Sequence, residues 1–304
     1  MDMELVKPGI NVNFVGAMRW AVIFSLTLTA LCIVSFVWKG FYYGIDFAGG
    51  TLVQIKFKQE TSTDGIRKVL TDVGIKDSII QPFGPHEVVV RTAESTSDLK
   101  GLSTKIGDAL NATFGKDAFE VQRVEVVGPK VGKDLTKKAI LAVIFSWIGM
   151  LVYIAFRFEL RYAVGGIVGV IHDVIVVMGV FSIFNIEFTL TIVAALLTII
   201  GYSIHDTIVV FDRVRENTRK DIKKDLRTVM NDSVNQTLSR TILTSFTVVL
   251  VVAILFIFGG AVIHDFAFAL LVGVIFGTYS SVFIASPVVL AWEHYRPTRG
   301  KRKK

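Results

Sequence analysis

The sequence predicts an α-helical polytopic membrane protein with six transmembrane helices and one small α+β domain between the first two. Three observations predict this fold class. The 304 residues are 52% hydrophobic with a mean hydropathy of +0.57, more than the core of a soluble domain requires. Six apolar stretches approach the ~20 residues that cross ~30 Å of hydrocarbon. One long polar segment, residues 39–134, separates the first stretch from the others.

The six predicted transmembrane helices lie between two cytoplasmic segments. The first apolar stretch is not followed by a small-residue cleavage pattern, so we interpret it as an uncleaved anchor and not as a signal peptide. The predicted order is a cytoplasmic N-terminus at 1–18, helices at 19–38, 138–157, 162–184, 188–211, 239–259 and 265–291, and a basic cytoplasmic tail at 292–304.

Basic residues in short loops predict the orientation. Arg157 and Arg161 follow the second helix and a larger basic group follows the fourth, whereas loops 184–187 and 262–265 contain no lysine or arginine. Basic loops stay in the cytoplasm, so both termini are predicted to be cytoplasmic and residues 39–134 extracytoplasmic. This explains the net charge of +7 better than nucleic-acid binding does. The larger group comprises Arg213, Arg215, Arg219, Lys220, Lys223, Lys224, Arg227 and Arg240.

The extracytoplasmic segment has the pattern of a βαββαβ domain. The stretch TLVQIKFK alternates as a strand, and TDGIRKVLTDVG is typical of a helix that ends at Gly74. The stretches DSIIQPFG and EVVVRT are strands around a turn at Gly84 and Pro85. A second helix, STSDLKGLSTKIGDALNATFG, ends at Gly115 before the strand FEVQRVEVVG. This order predicts a ferredoxin-like domain.

Two predicted membrane helices each contain a buried aspartate after an Ile-His pair. Asp173 lies about eleven residues, or ~16 Å, inside its helix, and Asp206 lies ~8 Å from the end of the next one. An ionised aspartate at the centre of a bilayer helix costs about 2.5 to 3.5 kcal/mol, so each carboxylate is expected to have a partner or a task. His172 and His205 point about 100° away from the neighbouring aspartates around each helix. They are expected to be packing or hydrogen-bonding residues, with proton relays as the alternative.

Arg240, near the start of the fifth helix, has nearly the depth of Asp206, and the sequence therefore predicts an ion pair between them. Separating the pair would let the carboxyl take up a proton, because burial without a counter-charge favours the neutral acid. Three alternatives stay open. The pair is static, Arg240 extends to the headgroups, or Asp173 is held by hydrogen bonds to polar groups of a facing helix.

Other residues support packing and hydration around these charges. Two glycine pairs four residues apart predict close helix approach. Tyr202 and Ser203 share the helix face of Asp206, and a further polar group lies near Arg240. A single cysteine, Cys32, excludes a disulfide framework. The glycine pairs are Gly165 with Gly169 and Gly273 with Gly277, and the polar group is Thr241, Thr244 and Ser245.

The sequence contains none of the motifs of an ATPase, a zinc hydrolase or a serine hydrolase. There is no glycine-rich phosphate loop with its lysine, no paired-histidine zinc motif and no nucleophile elbow. We therefore expect a protein that is not an enzyme, with no metal and no cofactor.

An ordered set of motifs resembles the SecF family of the bacterial SecDF protein-export complex. The set is YYGIDFAGGTLVQIKF, VEVVGPKVGKDL, HDV, GYSIHDTIVVFDRVREN, TLSRTILTS and FGG, and it covers nearly the whole chain. The resemblance implies a subunit of the resistance-nodulation-division superfamily that works with SecD and the SecYEG channel in the bacterial inner membrane. YajC and YidC are further candidate partners.

In that family the proton motive force, and not ATP, is expected to drive export. The resemblance carries this role to the aspartate of GYSxxD, here Asp206, and to the arginine of RTxxTS, here Arg240. We add Asp173, the deepest charge, to the expected proton pathway. His205 departs from the usual asparagine of the motif. The segment GIDFAGG is expected to form the entry to the external domain. Asp46 is expected to bond the backbone there, and Gly44, Gly49 and Gly50 suit tight turns or close backbone approach.

Two other functions stay open besides a proton-driven export subunit. A scaffold would have static charges and would hold SecD near the channel. A small-molecule efflux transporter of the same superfamily is less favoured, because the external insertion is one small domain and lacks the large paired insertions used for substrate capture.

Overall fold

The structure, a computed structural model, describes residues 11–59, 61–75, 78–82, 86–92, 99–115 and 118–295, without the side chains of 99–103 and 261. The chain divides into two compact units. We call the first the helical unit, which comprises Met1–Tyr42, Ala142–Ile186 and Thr191–Lys304, and the second the sheet unit, which comprises Tyr43–Leu141 and Glu187–Leu190.

The secondary structure of the described residues is mostly helical. The helices are α1 Phe14–Trp38, α2 Ile45–Ala48, α3 Thr63–Asp72, α4 Leu99–Phe114, α5 Pro129–Arg157, α6 Leu160–Phe184, α7 Leu190–Lys220, α8 Leu226–Phe258, α9 Ala261–Ser280 and α10 Ser286–Tyr295. The strands are β1 Tyr42–Tyr43, β2 Gly50–Phe57, β3 Ser78–Pro82, β4 Glu87–Thr92, β5 Phe119–Val127 and β6 Glu187–Phe188. A π-helical turn, Ser281–Ala285, joins α9 to α10.

The sheet unit contains a four-stranded antiparallel sheet in the order β3-β4-β2-β5. Along the chain the elements follow the predicted order, with α3 and α4 as the two helices. Inward residues alternate along β2, so that Val53 and Ile55 are wholly buried, and Leu70 of α3 and Leu110 of α4 join the same core. The period of two in the strand and the period of 3.6 in the helices therefore point apolar side chains at one interior.

The predicted ends of the two helices in this unit are confirmed. The Ser62 hydroxyl accepts a hydrogen bond from the Asp64 N–H at the start of α3. Gly74 and Gly115, with φ of 89° and 96°, follow the last turns of α3 and α4 in a conformation that favours glycine. The predicted turn at Gly84 and Pro85 and the predicted start of the second helix, 95–98, lie outside the described residues.

In the part of the chain that the structure describes, six helical segments are long and apolar enough to cross a membrane. Five are α1, α5, α6, α7 and α8, and the sixth is the continuous run from Val262 to Tyr295. The end of α6 has a clear cause. Asn185 adopts a left-handed conformation with φ of 58°, and its N–H bonds to the carbonyls of Phe181 and Ser182.

Two helices extend well past their predicted apolar limits. Helix α7 continues to Lys220, and helix α8 already begins at Leu226. Hydropathy predicts only the apolar length of a helix that fits a bilayer, whereas the helical hydrogen bonding continues into polar residues beyond it. The extension of α7 is polar, with Glu216 paired to both Arg213 and Lys220 at helical spacing. The α8 extension begins at Asp225, whose carboxylate accepts from the Arg227 N–H.

The predicted close approach at the two glycine pairs is confirmed. A β-carbon at Gly165 would lie 2.9 Å from the carbonyl oxygen of Ala285, within the π-helical turn. A β-carbon at Gly273 would lie 2.4 Å from the side chain of Ile199, and one at Gly277 would lie 3.1 Å from Ser203. The glycines thus bring α6 against the π-helical turn and α9 against α7.

Candidate functional site

Asp173 lies where three helices of the helical unit meet. Its side chain has no solvent exposure. The Ser203 hydroxyl of α7 donates to its Oδ2 at 2.6 Å, and the Ser280 hydroxyl of α9 donates to the same oxygen at 2.7 Å. Its Oδ1 lies 3.0 Å from Nδ1 of His172. Asp173 is therefore held by hydrogen bonds from facing helices, which was the third alternative left open by the sequence.

The adjacent His172 is also buried, and only one of its ring nitrogens is used. Its Nδ1 contacts Asp173, whereas Nε2 is buried and has no hydrogen-bond partner among the described residues. A buried polar atom without a partner is costly and uncommon. Nε2 of His172 is therefore available to a further polar group beside the deepest carboxylate.

Asp206 forms a second polar cluster between α7, α8 and α9. The carboxylate is buried, and the Ser245 hydroxyl of α8 lies 3.3 Å from its Oδ2. The oxygens of Ser245 and Thr278 of α9 are 2.7 Å apart. Tyr202 donates to Ser245 at 3.2 Å, so the predicted polar face of α7 contributes to this cluster. His205 is exposed, with Nδ1 3.7 Å from Oδ1 of Asp206.

Ser245 has one hydroxyl proton and two neighbours that can receive it. When it donates to Asp206, Thr278 can donate to Ser245, and when Asp206 carries its own proton Ser245 can donate to Thr278. The Thr278 hydroxyl has the carbonyl of Val274, 2.9 Å away, as its other acceptor. The cluster therefore accommodates both protonation states of Asp206 by rotation of hydroxyl groups.

The predicted ion pair between Asp206 and Arg240 is not formed in this structure. Arg240 is exposed, and none of the described residues forms an ion pair with it. The reason is the direction of the Arg240 side chain around α8 and not its depth along the helix. Ser245 is five residues after Arg240, which places the two side chains about 140° apart around α8. Because Ser245 faces Asp206, Arg240 must point to another side of the helix.

In the sequence Arg161 indicates only the orientation of its loop, but in the structure its side chain is buried. Its Nη1 lies 2.7 Å from Oε2 of Glu293 on α10, and its Nη2 lies 2.8 Å from Oε2 of Glu159. The guanidinium carbon lies 4.8 Å from the centre of the Tyr162 ring. Arg161 thus fastens α6 to α10, away from the two carboxylate clusters. Its position beside Glu159 was the available signal.

Comparisons with known proteins identify the family. The sequence profile described as "Protein export membrane protein SecD/SecF, C-terminal" matches residues 106–295, and the profile "SecD/SecF GG Motif" matches 34–61. A protein translocase subunit SecF from Magnetococcus marinus is 45% identical over 95% of this chain and 94% of its own length. The chain belongs to the SecF family. A family member from Pseudomonas aeruginosa is 42% identical over 94% of this chain and 92% of its own length.

Two solved structures that contain a SecF-like part resemble this chain. The crystal structure of SecDF, a translocon-associated membrane protein from Thermus thermophilus, matches 94% of the chain with a TM-score of 0.85 and 38% identity. SecDF in a super-membrane-facing form matches 98% with a TM-score of 0.71 and 37% identity. This SecF-family chain spans 39% and 41% of those two chains.

The GG-motif segment of this SecF-family chain contacts residues 187–190 inside the sheet unit. The Gly44 N–H donates to the Phe188 carbonyl at 2.9 Å, and the Asp46 carboxylate accepts from the Leu190 N–H at 2.8 Å. Arg91 of β4 forms an ion pair with Glu187 in the same region. The predicted backbone role of Asp46 is confirmed, and its partner is the first residue of α7. Gly49 ends α2 with φ of 76° and Gly50 begins β2 with φ of 126°, so both adopt a conformation that favours glycine, but only Gly49 lies in a turn between the two elements.

Replacing Asp46 by alanine should loosen the start of α7. The carboxylate satisfies one of the amides that a helix leaves free at its N-terminus, and loss of such a cap costs about 1 kcal/mol. Hydrogen exchange of a peptide covering 187–193 should then be about fivefold faster, since about 1.4 kcal/mol is tenfold. Asp46→Asn, which keeps an acceptor, is the control. Equal exchange in Asp46→Ala and the wild type would contradict the capping role.

Proposed function

We propose that this chain is an auxiliary subunit of the Sec protein translocase which, with SecD, uses the proton motive force to promote preprotein translocation and release across the bacterial inner membrane. Membership of the SecF family supports the role in translocation. The likeness to SecF proteins and to the structure of SecDF supports SecD as the partner. SecYEG, YajC and YidC are proposed as further partners from the resemblance of the motifs.

The observation that carries the use of protons is the environment of Asp206. Its carboxylate is buried against hydroxyl groups and has no lysine or arginine partner among the described residues. Such a carboxylate can be protonated or ionised depending on whether a cation approaches, because the energy of a buried charge depends on its counter-charge. The hydroxyls of Ser245 and Thr278 can follow either state by rotation.

Arg240 supplies the cation in this proposal. The Arg240 side chain is exposed, and along α8 it lies at nearly the depth of Asp206. A rotation or shift of α8 would therefore change the distance between Arg240 and the carboxylate. Asp173, with the unused Nε2 of His172 beside it, extends the polar region further into the membrane helices. Protons that pass Asp206 would favour one arrangement of the packed helices over another. The resulting movement would act on an emerging polypeptide.

The sheet unit is proposed to be a ferredoxin-like domain outside the membrane. Counted along the chain from β2 to β5, the four strands lie in the order 2-3-1-4 across the sheet. This order supports the assignment, because the split βαβ arrangement places the first and third strands in the middle. Both termini are proposed to be cytoplasmic, on the distribution of basic residues between short loops.

The test is export in cells carrying Asp206→Asn at normal protein levels. Asparagine keeps the shape and can accept from Ser245, but it cannot ionise, so late release of a secreted protein should fall to the level of cells lacking the chain. Asp265→Asn is a matched control, because Asp265 also follows a histidine but is exposed. Undiminished release with Asp206→Asn would refute the proton role.

A static scaffold is the second candidate, favoured by the three hydrogen-bond partners of Asp173. In that case Asp206→Asn would leave both export and co-isolation with SecD unchanged. A proton-driven subunit should instead retain SecD while losing export.

A further inference from the structure

A basic cavity lies where the end of α5, the loop after it and the last turns of α7 meet in the helical unit. Its volume is about 490 Å³. Neither carboxylate cluster contributes to it. The lining residues are Arg157, Asp212, Arg215, Glu216, Arg219 and Lys220.

The charges of this cavity leave a surplus of cations. Four of the six lining side chains are basic and two are acidic. Glu216 is already engaged by Lys220 at 2.7 Å and by Arg213, which lies outside the lining set, at 2.8 Å. Asp212 is exposed and offsets the charge of one of the three arginines, so the lining remains net positive. The arginines therefore determine the charge that the cavity can accept, and an anion is favoured.

Two of the arginines are held in place by one aromatic ring. The guanidinium carbons of Arg157 and Arg215 lie 5.3 Å and 5.6 Å from the centre of the Phe158 ring. Nη1 of Arg215 also donates to the Arg157 carbonyl at 3.3 Å, which occupies one of the acceptors left free at the end of α5. Guanidinium groups fixed in this way match the geometry of phosphate oxygens.

An apolar surface begins directly beside the basic cavity. Phe156, next to Arg157, is 88% exposed, and Tyr153, one turn earlier on the face of Arg157, is 61% exposed. One further turn back, a β-carbon at Gly149 would meet no atom within 4 Å. A ligand with a phosphate at one end and hydrocarbon at the other fits this succession of surfaces, because basic pockets at the ends of membrane helices bind anionic headgroups.

The geometry points to a binding site for an anionic phospholipid, with the headgroup phosphate between Arg157, Arg215 and Arg219 and an acyl chain along α5. This site does not depend on the proposed proton pathway. Only its assignment to the cytoplasmic leaflet rests on the proposed orientation. A bound lipid would fix the end of α5 against the last turns of α7, the helix that carries Asp206.

The test is native mass spectrometry of the purified full chain titrated with phosphatidylglycerol, phosphatidylcholine or inorganic phosphate. The wild type should retain phosphatidylglycerol in preference to phosphatidylcholine. Arg157→Gln with Arg219→Gln should weaken its retention about thirtyfold, since each basic group near an anionic headgroup contributes about fivefold. Both side chains are exposed, so the double variant should fold, and an unchanged thermal midpoint in detergent checks this.

A charge-matched double variant controls for net charge. Lys223→Gln with Arg227→Gln removes two exposed cations outside the cavity and should retain phosphatidylglycerol as the wild type does. Arg157→Lys with Arg219→Lys should weaken retention of phosphatidylglycerol by an intermediate amount, because lysine keeps the positive charge but lacks the planar set of guanidinium N–H donors. Three results would overturn the proposal. In the first, the Arg157→Gln, Arg219→Gln variant retains phosphatidylglycerol as well as the wild type does. In the second, the wild type shows no preference for phosphatidylglycerol over phosphatidylcholine. In the third, an equal concentration of inorganic phosphate displaces the lipid.

Discussion

Replacing Gly179 by alanine should separate α1 from α6 and cost about 3 kcal/mol or more, at the upper end for an overpacked core. A β-carbon at Gly179 would lie 2.2 Å from Cβ of Cys32, 2.3 Å from its Sγ and 2.9 Å from its Cα. The last of these is a backbone atom, so the clash cannot be relieved by rotation of a side chain. The loss should appear as a lower midpoint of unfolding in detergent.

Gly149→Ala is the matched control for this substitution. Gly149 lies within α5, and its added β-carbon would meet nothing within 4 Å, so alanine there should be neutral or slightly stabilising. Cys32→Gly combined with Gly179→Ala should recover part of the loss, because it removes the two closest clashing atoms. Equal midpoints for Gly179→Ala and Gly149→Ala would contradict the close packing of α1 on α6.

The glycines show how far spacing carries a prediction. Gly165 with Gly169 and Gly273 with Gly277 were found because residues four apart share a helix face, and all four lie against other helices. Gly179 has no glycine four residues before or after it, and its partner Cys32 is far away in the sequence. Only the fold brings them together, so a single close contact of this kind leaves no periodic pattern.

The polar sites show a similar division between depth and direction. Hydropathy and helix rise placed Asp173 and Asp206 inside membrane helices, and both are buried. The pairing of Asp206 with Arg240 used depth alone, although the direction of a side chain on α8 depends on which face packs inward. Thr237, Thr241 and Ser245, at helical spacing, are all buried, and this run was the signal for the inward face.

The hydroxyl partners of Asp173 could not be assigned from the sequence. Ser203 was predicted to share the face of Asp206, but its hydroxyl donates to Asp173, and Ser280 is 107 residues from that aspartate along the chain. Serines in membrane helices often bond to their own backbone, so their number predicts little. The choice of partner depends on how closely α7 and α9 approach α6. A β-carbon at Gly166 of α6 would lie 2.8 Å from Ile204 of α7, and one at Gly169 would lie 3.7 Å from the Ser280 hydroxyl of α9.

Replacing Asp173 by leucine should destabilise the helical unit by about 2 to 5 kcal/mol, because buried donors left unpaired cost about 1 to 3 kcal/mol each. Ser203, Ser280 and Nδ1 of His172 all lose their acceptor in this variant. Ser280 has a second acceptor in the Gly277 carbonyl at 3.2 Å, which limits the loss. The midpoint of unfolding in detergent measures the effect.

Asp173→Asn separates a structural role of this carboxylate from a role in proton passage. With the amide oxygen in the place of Oδ2, asparagine can still accept from both serines, and its amide nitrogen then faces Nδ1 of His172, which can accept in one neutral tautomer, so this variant should unfold close to the wild-type midpoint. If Asp173 exchanges protons, export should nevertheless fall as it does for Asp206→Asn. If Asp173 only fastens α6 to α7 and α9, Asp173→Asn should export normally and Asp173→Leu alone should fail. The two substitutions at one position thus distinguish hydrogen bonding from ionisation, since both remove the charge and only asparagine keeps the hydrogen bonds.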